Sequence, residues 1–274
     1  MSGPRDLFER IASALERFAP SVTPPTDWNA APAYLWSGKS ARSISQPDAL
    51  PLASLKGIDG QKELFLTNVT RLANGAAAHD TLLWGARGMG KSALVRSAVA
   101  AIQTDSANKL AIVQLAPGSL ASFPDLIEQL AEQDRAFLLF VDDLGFGSGD
   151  RQDALALRSL LDGGIQPRPA RIRVAVTSNR RAIVQREPDE SKAMHERDER
   201  DDALALADRF GLTIGFHPCD RETYLDIVRS YTDPVGITID EEDALAWAIQ
   251  RGNRSGRTAY QYAVELAGRA DKVL

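Results

Sequence analysis

Short apolar runs alternate with amphipathic segments between about Pro51 and Pro218, and this alternation predicts the fold class. Five runs are almost continuously hydrophobic, as central parallel strands are when both sheet faces are covered. These runs are Thr81 to Trp84, Leu110 to Leu115, Phe137 to Asp142, Ile172 to Ser178 and Leu212 to Phe216. Helical patterns separate them at Ser92 to Ile102, Phe123 to Gln133, Asp150 to Leu161 and near Ala203. We therefore predict an α/β fold, a doubly wound parallel sheet with helices on both faces.

The chain changes character on both sides of this region. Leu7, Phe8, Ile11, Leu15 and Phe18 form one helical stripe that Pro20 ends. The stretch from Pro20 to Pro51, here named the arm, is rich in proline and predicts irregular structure; we expect its aromatic residues Trp28, Tyr34 and Trp36 to be buried against the body rather than to bind a partner. After Pro218, three helical stripes predict a small helical lid. The predicted regions are 1–51, 52–218 and 219–274.

Composition and charge exclude several functional classes. The chain has 274 residues and a formal net charge of -5, so no global basic field steers it toward nucleic acid or an acidic membrane surface. Cys219 is the only cysteine, which rules out an internal disulfide and fits a reducing compartment. No apolar stretch is long enough to span a membrane, and the charged N-terminus is unlike a signal peptide. We therefore expect a cytoplasmic protein without a membrane partner.

The segment from Gly85 to Ser92 reads GARGMGKS and satisfies the pattern G-x-x-x-x-G-K-[ST] between a predicted strand and a predicted helix. We name it the phosphate loop. Its glycines allow backbone N–H groups to converge on phosphates, and the helix that follows adds its positive N-terminal end. Lys91 supplies a cation for the terminal phosphates, and Ser92 offers a hydroxyl to Mg2+. The residues predicted to bind the nucleotide here are Gly85, Ala86, Arg87, Gly88, Met89, Gly90, Lys91, Ser92 and Ala93.

Two aspartates follow the apolar run that begins at Phe137. Asp142 ends this strand and is predicted to hold the Mg2+ ion through its water shell. Asp143 follows at the position where many ATPases carry a glutamate that polarises the attacking water. An aspartate is one methylene shorter, so the sequence supports nucleotide binding more directly than hydrolysis. Without the phosphate loop, the same residues would be typical of a solvated turn.

Three polar residues further along extend the candidate catalytic set. Asn179 follows the strand Ile172 to Ser178, where its amide could orient the attacking water, although an asparagine there is often only a turn former. Arg209 precedes the last strand and would otherwise form a surface salt bridge. Arg257 begins the last helical stripe after a glycine-containing turn.

Taken in order, the phosphate loop, VDD, TSN, DRFG and SGRTA resemble the AAA+ ATPases. More narrowly, the chain resembles an uncharacterised bacterial single-domain AAA+ ATP-binding family with the motifs LLWGARGxGKSxLV, DDLxF, TSNRR and DRFGL. The resemblance covers roughly Leu52 to Ala270. It implies five parallel strands in the order 5-1-4-3-2, a helical lid, and ATP with Mg2+ as the ligands.

The resemblance also implies a role for each candidate residue. Gly85 to Ser92 would be Walker A, Asp142 and Asp143 Walker B, Asn179 sensor 1, Arg209 an arginine finger and Arg257 sensor 2. The segment LKGIDGQ would place Gly57 and Ile58 against the adenine. An arginine finger acts in a neighbouring site, which implies a homo-oligomer.

These features favour an AAA+ ATPase that couples Mg-ATP binding and hydrolysis to a conformational change on an unknown protein or nucleic-acid client. A non-hydrolysing, nucleotide-gated binding module and a P-loop phosphotransferase are the alternatives. Arg180, Arg181, Arg251 and Arg254 form a candidate local patch for nucleic acid. The charged run from Arg186 to Asp202 is typical of a solvated loop, and the alternative is a loop that orders against a neighbouring subunit or a client.

Overall fold

The computed structural model of the chain describes residues 25–106, 109–145, 151–163, 168–179 and 205–274. The N-terminal helical stripe, the helical segment near Ala203, the run from Arg186 to Asp202 and the pair Arg180 and Arg181 lie outside these residues. In the part of the chain that is described, no helix is both long enough and apolar enough to cross a membrane.

One seven-stranded sheet forms the centre of the molecule. Its strands are β1 (Ala33–Trp36), β2 (Ala41–Ile44), β3 (Thr81–Gly85), β4 (Leu110–Leu115), β5 (Ala136–Val141), β6 (Ile172–Ser178) and β7 (Leu212–Phe216). They are arranged in the order β2-β1-β4-β5-β6-β3-β7. Every neighbouring pair is parallel except β1 with β2. The five strands from β3 to β7 therefore have the predicted order 5-1-4-3-2.

The arm differs from its predicted irregular structure. It adds β1 in parallel beside β4, with Tyr34 opposite Val113, and then turns back as β2. The prediction of five strands was wrong in this respect, because four-residue strands between prolines give too short a hydrophobic pattern to recognise. Burial of the aromatic residues is confirmed: Trp28, Tyr34 and Trp36 are at most 3% exposed, and the rings of Trp28 and Tyr34 lie 4.9 Å apart.

Helices cover both faces of the sheet, as predicted. Those between the strands are α1 (Asp59–Ala73), α2 (Lys91–Ser106), α3 (Phe123–Ala131) and α4 (Arg151–Asp162), and those after the sheet are α5 (Arg221–Thr232), α6 (Glu241–Gln250) and α7 (Gly256–Arg269). Leu83 packs in the core beneath α1 and α2, whereas its neighbour Leu82 packs in the core beneath α3 and α4. This alternation follows from the two-residue period of a strand. Both sides of the sheet are therefore closed by apolar layers.

Helix α1 is an element that the sequence analysis did not predict. Phe65, Val69 and Leu72 recur at the spacing of one helical face, and all three are buried. Gln61 Nε2 on the same helix donates a hydrogen bond of 3.0 Å to the carbonyl oxygen of Gly215 in β7. This contact fixes the start of α1 beside the strand that borders the phosphate loop.

The three C-terminal helices form the predicted helical lid. Each begins at a residue whose side chain accepts a hydrogen bond from the first turn: Asp220, Asp240 and Ser255. Tyr224 of α5 and Tyr262 of α7 are fully buried and belong to the same core as the α1 and α2 side of the sheet. The lid therefore shares one apolar core with this side of the sheet and its helices. The predicted domain limits stay predictions.

Candidate nucleotide-binding site

The phosphate loop begins where β3 meets the end of β7. Gly85 has a φ of +118°, and a Cβ atom there would lie 2.1 Å from the carbonyl oxygen of Phe216. That same oxygen accepts a hydrogen bond of 2.8 Å from the Ala86 N–H. Only glycine fits this close backbone approach at a positive φ. The first glycine of the motif is therefore required by the geometry of the strand end.

Lys91 is buried at the start of α2, with 6% of its surface exposed. Its Nζ donates hydrogen bonds to the carbonyl oxygens of Gly85 at 2.9 Å and Ala86 at 2.8 Å. Burial lowers the pKa of the Lys91 ammonium to about 8, although the negative charges of Asp143 and Asp142 oppose the shift. The loop thus holds a desolvated cation next to the N-terminal end of a helix, which is where an anionic ligand is stabilised.

Asp142 joins three elements of the site. Its Oδ1 accepts hydrogen bonds of 2.6 Å from Ser92 Oγ on α2 and of 2.6 Å from Thr177 Oγ1 on β6. A carboxylate and a hydroxyl are hard oxygen donors of the kind that Mg2+ prefers. Within the described residues no cluster of three or more acidic, histidine or cysteine side chains could hold a metal. This donor set still fits Mg2+, because that ion is bound by one or two protein groups together with water and phosphate oxygens.

Asp143 has an unusual backbone conformation, with a φ of +54°. Its N–H donates a hydrogen bond of 2.8 Å to Thr177 Oγ1, and its Oδ1 accepts a hydrogen bond from Asn179 Nδ2. A positive φ at a residue other than glycine is strained and persists only when its surroundings hold it in place. The ends of β5 and β6 therefore bring Asp142, Asp143 and Asn179 together, as the sequence predicted for neighbouring strands.

Arg257 is brought to the same place by the lid. The Arg257 N–H donates a hydrogen bond of 3.1 Å to the carbonyl oxygen of Gly88 in the phosphate loop. Ser255 caps α7 and lies so close that a Cβ atom on Gly88 would be 2.8 Å from Ser255 Oγ. The positive charge of Arg257 also contributes to the lowered pKa of Lys91. The N-terminal ends of α2 and α7 thus meet at the phosphate loop.

These residues line one side of a cavity of about 500 Å³, here named the nucleotide cavity. This volume is within the range of small-molecule sites. The predicted residues that line it are Ile58, Gly88, Met89, Gly90, Lys91, Ser92, Ala93, Asp142, Asp143, Asn179 and Arg257. Gly85, Ala86, Arg87 and Gly57 are outside its lining. Gly57 instead packs against α5, where a Cβ atom would lie 2.2 Å from Thr223 Cγ2.

Arg209 lies apart from this set. Its Nε is paired with the carboxylate of Asp162 at the end of α4, and its Nη1 donates to the carbonyl oxygen of Ala205. Arg209 is also outside the lining of the nucleotide cavity. Of the six residues predicted to be catalytic or metal-binding, five line the nucleotide cavity: Ser92, Asp142, Asp143, Asn179 and Arg257. Arg209 is the sixth and lies outside it.

A family model matches the chain over residues 29–270. The chain belongs to the family DUF815. That family is described as a protein of unknown function. No curated protein matches the sequence. The match covers both the arm strands and the lid as well as the five central strands.

Solved structures show what this DUF815 fold resembles. The Thermotoga maritima RuvB Holliday junction branch migration motor is 15% identical with a TM-score of 0.51, over 81% of this chain and 66% of that one. The Aeropyrum pernix Orc1 protein in complex with DNA is 14% identical with a TM-score of 0.57, over 83% of this chain and 64% of that one. The chain thus spans a little under two thirds of each. At these identities the likeness shows an AAA+-like fold, which confirms the predicted fold class.

Several side chains of the DUF815 site were not predicted. The lining of the nucleotide cavity also includes apolar and aromatic residues: Leu50, Leu55, Ile227, Tyr231 and Tyr260. The rings of Tyr231 and Tyr260 lie 5.2 Å apart in an edge-on arrangement. Tyr231 lies on α5, within the first of the three helical stripes predicted after Pro218, but Tyr260 lies on α7. Contacts between distant helices leave no local pattern in a sequence.

Thr177 is the missed residue with the clearest effect. Replacing it with valine keeps the shape but removes the donor to Asp142 and the acceptor for the Asp143 N–H. We expect the free energy of unfolding to fall by about 1–3 kcal/mol, because hydrogen-bonding groups are left unsatisfied. Denaturant unfolding measures this change. Thr177→Ser keeps the hydroxyl and is the matched control; an equal loss in both variants would contradict the role of the hydroxyl.

Proposed function

We propose that this DUF815 protein is an AAA+ ATPase that binds Mg-ATP in the nucleotide cavity and hydrolyses it to drive a conformational change. The observation that carries the proposal is the meeting of the Ser92 and Thr177 hydroxyls on one oxygen of Asp142, beside the buried Lys91 ammonium. A structural salt bridge or a solvated turn does not need this arrangement. A magnesium-bound triphosphate uses the Ser92 hydroxyl, the Asp142 carboxylate and the Lys91 ammonium, and Thr177 holds that carboxylate in place. The proposal also follows the narrower resemblance seen in the sequence.

In the proposed reaction each side chain has a separate task. Lys91 would exchange its two carbonyl contacts for the terminal phosphate oxygens, and Ser92 and Asp142 would hold Mg2+, which neutralises charge on the phosphates. Asp143 would accept the proton of the attacking water, and Asn179 would orient it. Arg257 lies on the lid beside the phosphate loop. A contact between Arg257 and the terminal phosphate would make the position of the lid depend on whether that phosphate is present.

Arg209 supports the proposal of a homo-oligomer. The Arg209 side chain does not line the nucleotide cavity of the same chain. It is paired instead with the carboxylate of Asp162. We propose that it completes the cavity of a neighbouring copy as an arginine finger. The client is a protein or a nucleic acid. Arg251 and Arg254, both exposed, are the described members of the candidate nucleic-acid patch.

Purified protein tests the function directly. We expect ATP with Mg2+ to bind in titration calorimetry and inorganic phosphate to be released on incubation. Asp142→Asn removes the charge that would hold Mg2+, so it should bind Mg-ATP more weakly, while Asp134→Asn changes an exposed aspartate away from the cavity and is the matched control. Absence of ATP binding in the unmodified protein would end the proposal.

A non-hydrolysing, nucleotide-gated binding module is the second candidate. The hydrogen bond from Asn179 Nδ2 to Asp143 Oδ1 favours it, because it occupies one of the two carboxylate oxygens that could accept the proton. The two candidates differ in phosphate release. Tight ATP binding without phosphate release at any protein concentration would support the binding module and contradict the ATPase.

The lowered pKa of Lys91 predicts a pH dependence of ATP binding. The free protein loses the Lys91 proton as the pH rises through about 8, whereas bound phosphate favours the protonated form. ATP affinity should therefore fall above pH 8, by up to about tenfold per pH unit. Calorimetry in buffers of different ionisation enthalpy should also show proton uptake on binding. Lys91→Arg stays charged, and its affinity should not show this fall.

The lowered pKa of Lys91 also makes the stability of the folded protein depend on pH, and here the effect increases with pH whereas ATP affinity decreases. The pKa of Lys91 is lower in the folded protein than its ordinary value of 10.5, so between about pH 8 and 10.5 the unfolded chain binds more protons. Without nucleotide, the contribution of Lys91 to the free energy of unfolding should therefore rise over this range. A decrease traced to Lys91 by comparison with Lys91→Arg would contradict the burial of its charge.

A further inference from the structure

A second cavity, of about 340 Å³, lies between α2 and the two strands of the arm, and we name it the arm cavity. It forms because β1 and β2 extend the sheet at its β4 edge, beside α2. Its floor is apolar and includes Ala33, Leu35, Val99 and Ile112. The volume is at the lower end of the range for small-molecule sites.

The rim of the arm cavity is charged. Its lining includes two arginines, Arg42 of β2 and Arg96 of α2, and one carboxylate, that of Asp48. The carboxylate of Asp48 is 3.7 Å from Arg96 Nη2 and 91% exposed, so this ion pair is weak. Arg42 has no salt bridge to any described carboxylate. An apolar floor with an excess of guanidinium groups at its rim is complementary to an anion that carries an apolar body.

The arm cavity shares only Asp48 and Arg96 with the lining of the nucleotide cavity. Arg96 lies one helical turn after Ser92, and its Nε donates a hydrogen bond of 2.8 Å to the carbonyl oxygen of Asp48. This bond ties α2 to the arm segment that continues to Leu50, another residue of the nucleotide cavity. A ligand carboxylate that takes the place of the Asp48 carbonyl oxygen as the partner of Arg96 Nε would release this segment.

We propose that the arm cavity binds a small organic carboxylate with an apolar body, and that its occupancy weakens nucleotide binding through Arg96. The carboxylate pairs with Arg42 and Arg96, and the apolar body covers Leu35 and Ile112. The coupling is reciprocal, since a ligand that weakens ATP binding is itself bound more weakly when ATP is present. This second half of the proposal rests on the proposed function, whereas carboxylate binding does not.

Titration calorimetry with octanoate on the full chain tests the site without nucleotide. We expect saturable binding of one octanoate per chain and much weaker binding of octanamide, which has the same apolar body without the charge. Arg42→Gln should weaken octanoate binding by roughly tenfold or more. Lys39→Gln removes an exposed charge of the arm outside the cavity and should leave it unchanged. Equal binding of octanamide, no saturation, or no effect of Arg42→Gln would overturn the site.

The coupling is measured as the Kd for ATP with and without saturating octanoate. We expect octanoate to raise this Kd by at least about fivefold, the lower end of ordinary allosteric coupling. In Arg96→Gln, octanoate should no longer change the Kd. A Kd that octanoate leaves unchanged in the unmodified protein would overturn the coupling. If ATP itself does not bind, the proposed function fails, and octanoate binding still decides the arm cavity.

Discussion

Lys91→Ala is expected to weaken ATP binding by at least about a hundredfold. The ammonium is positioned by the carbonyl oxygens of Gly85 and Ala86, and each charge-assisted hydrogen bond it makes to phosphate contributes about 1.5–3 kcal/mol. Alanine supplies neither the charge nor the donors. Calorimetric titration of ATP with Mg2+, or displacement of a fluorescent ATP analogue, measures the change.

The same substitution should leave the folded protein intact. Burial of the Lys91 charge is unfavourable, as its lowered pKa shows, so its removal is expected to change the free energy of unfolding by no more than about 1 kcal/mol. Lys109→Ala alters an exposed lysine away from the cavity and should bind ATP normally. If Lys91→Ala bound ATP as tightly as the unmodified protein, the phosphate loop would not be a nucleotide site.

The core of the sheet could be predicted because its strands are buried on both faces. The runs Leu110 to Leu115 and Ile172 to Ser178 are mostly apolar, and both coincide with strands of the structure. The arm gave no such signal. Tyr34 and Trp36 alternate with Ala33 and Leu35 over only four residues, and the pairing partner of β1 lies far along the chain in β4. Short strands defined by distant partners cannot be recognised locally.

In the candidate site, too, the sequence predicts only the residues that a local pattern places. Lys91, Ser92 and Asp142 could be predicted because spacing within one motif, or the end of one strand, places each of them. The role of Thr177 depends on the side-by-side register of β5 and β6, which brings its hydroxyl to Asp142. Gly57, which the resemblance places at the adenine, lies against Thr223 of the lid, and this contact between distant segments had no signal in the sequence. Its place at the adenine stays a prediction.

Arg209→Ala is expected to lower the ATPase rate by about 10³-fold or more, with little change in ATP affinity. Arginine fingers stabilise charge in the transition state and are worth on the order of 10³ to 10⁵ in rate. Arg209 is outside the lining of its own nucleotide cavity, so the loss would arise in a neighbouring copy. Phosphate release per chain should therefore rise with protein concentration in the unmodified protein as the homo-oligomer forms.

Mixing experiments separate a finger in trans from a structural arginine. Lys91→Ala keeps Arg209 and Arg209→Ala keeps a complete nucleotide cavity, so a mixture of the two inactive variants should regain part of the activity. Asp162→Ala removes the partner of Arg209 without removing the arginine, and it should retain most of the rate. A specific activity that is independent of concentration and unaffected by Arg209→Ala would sink the trans arrangement, because the cavity would then be catalytically complete within one chain.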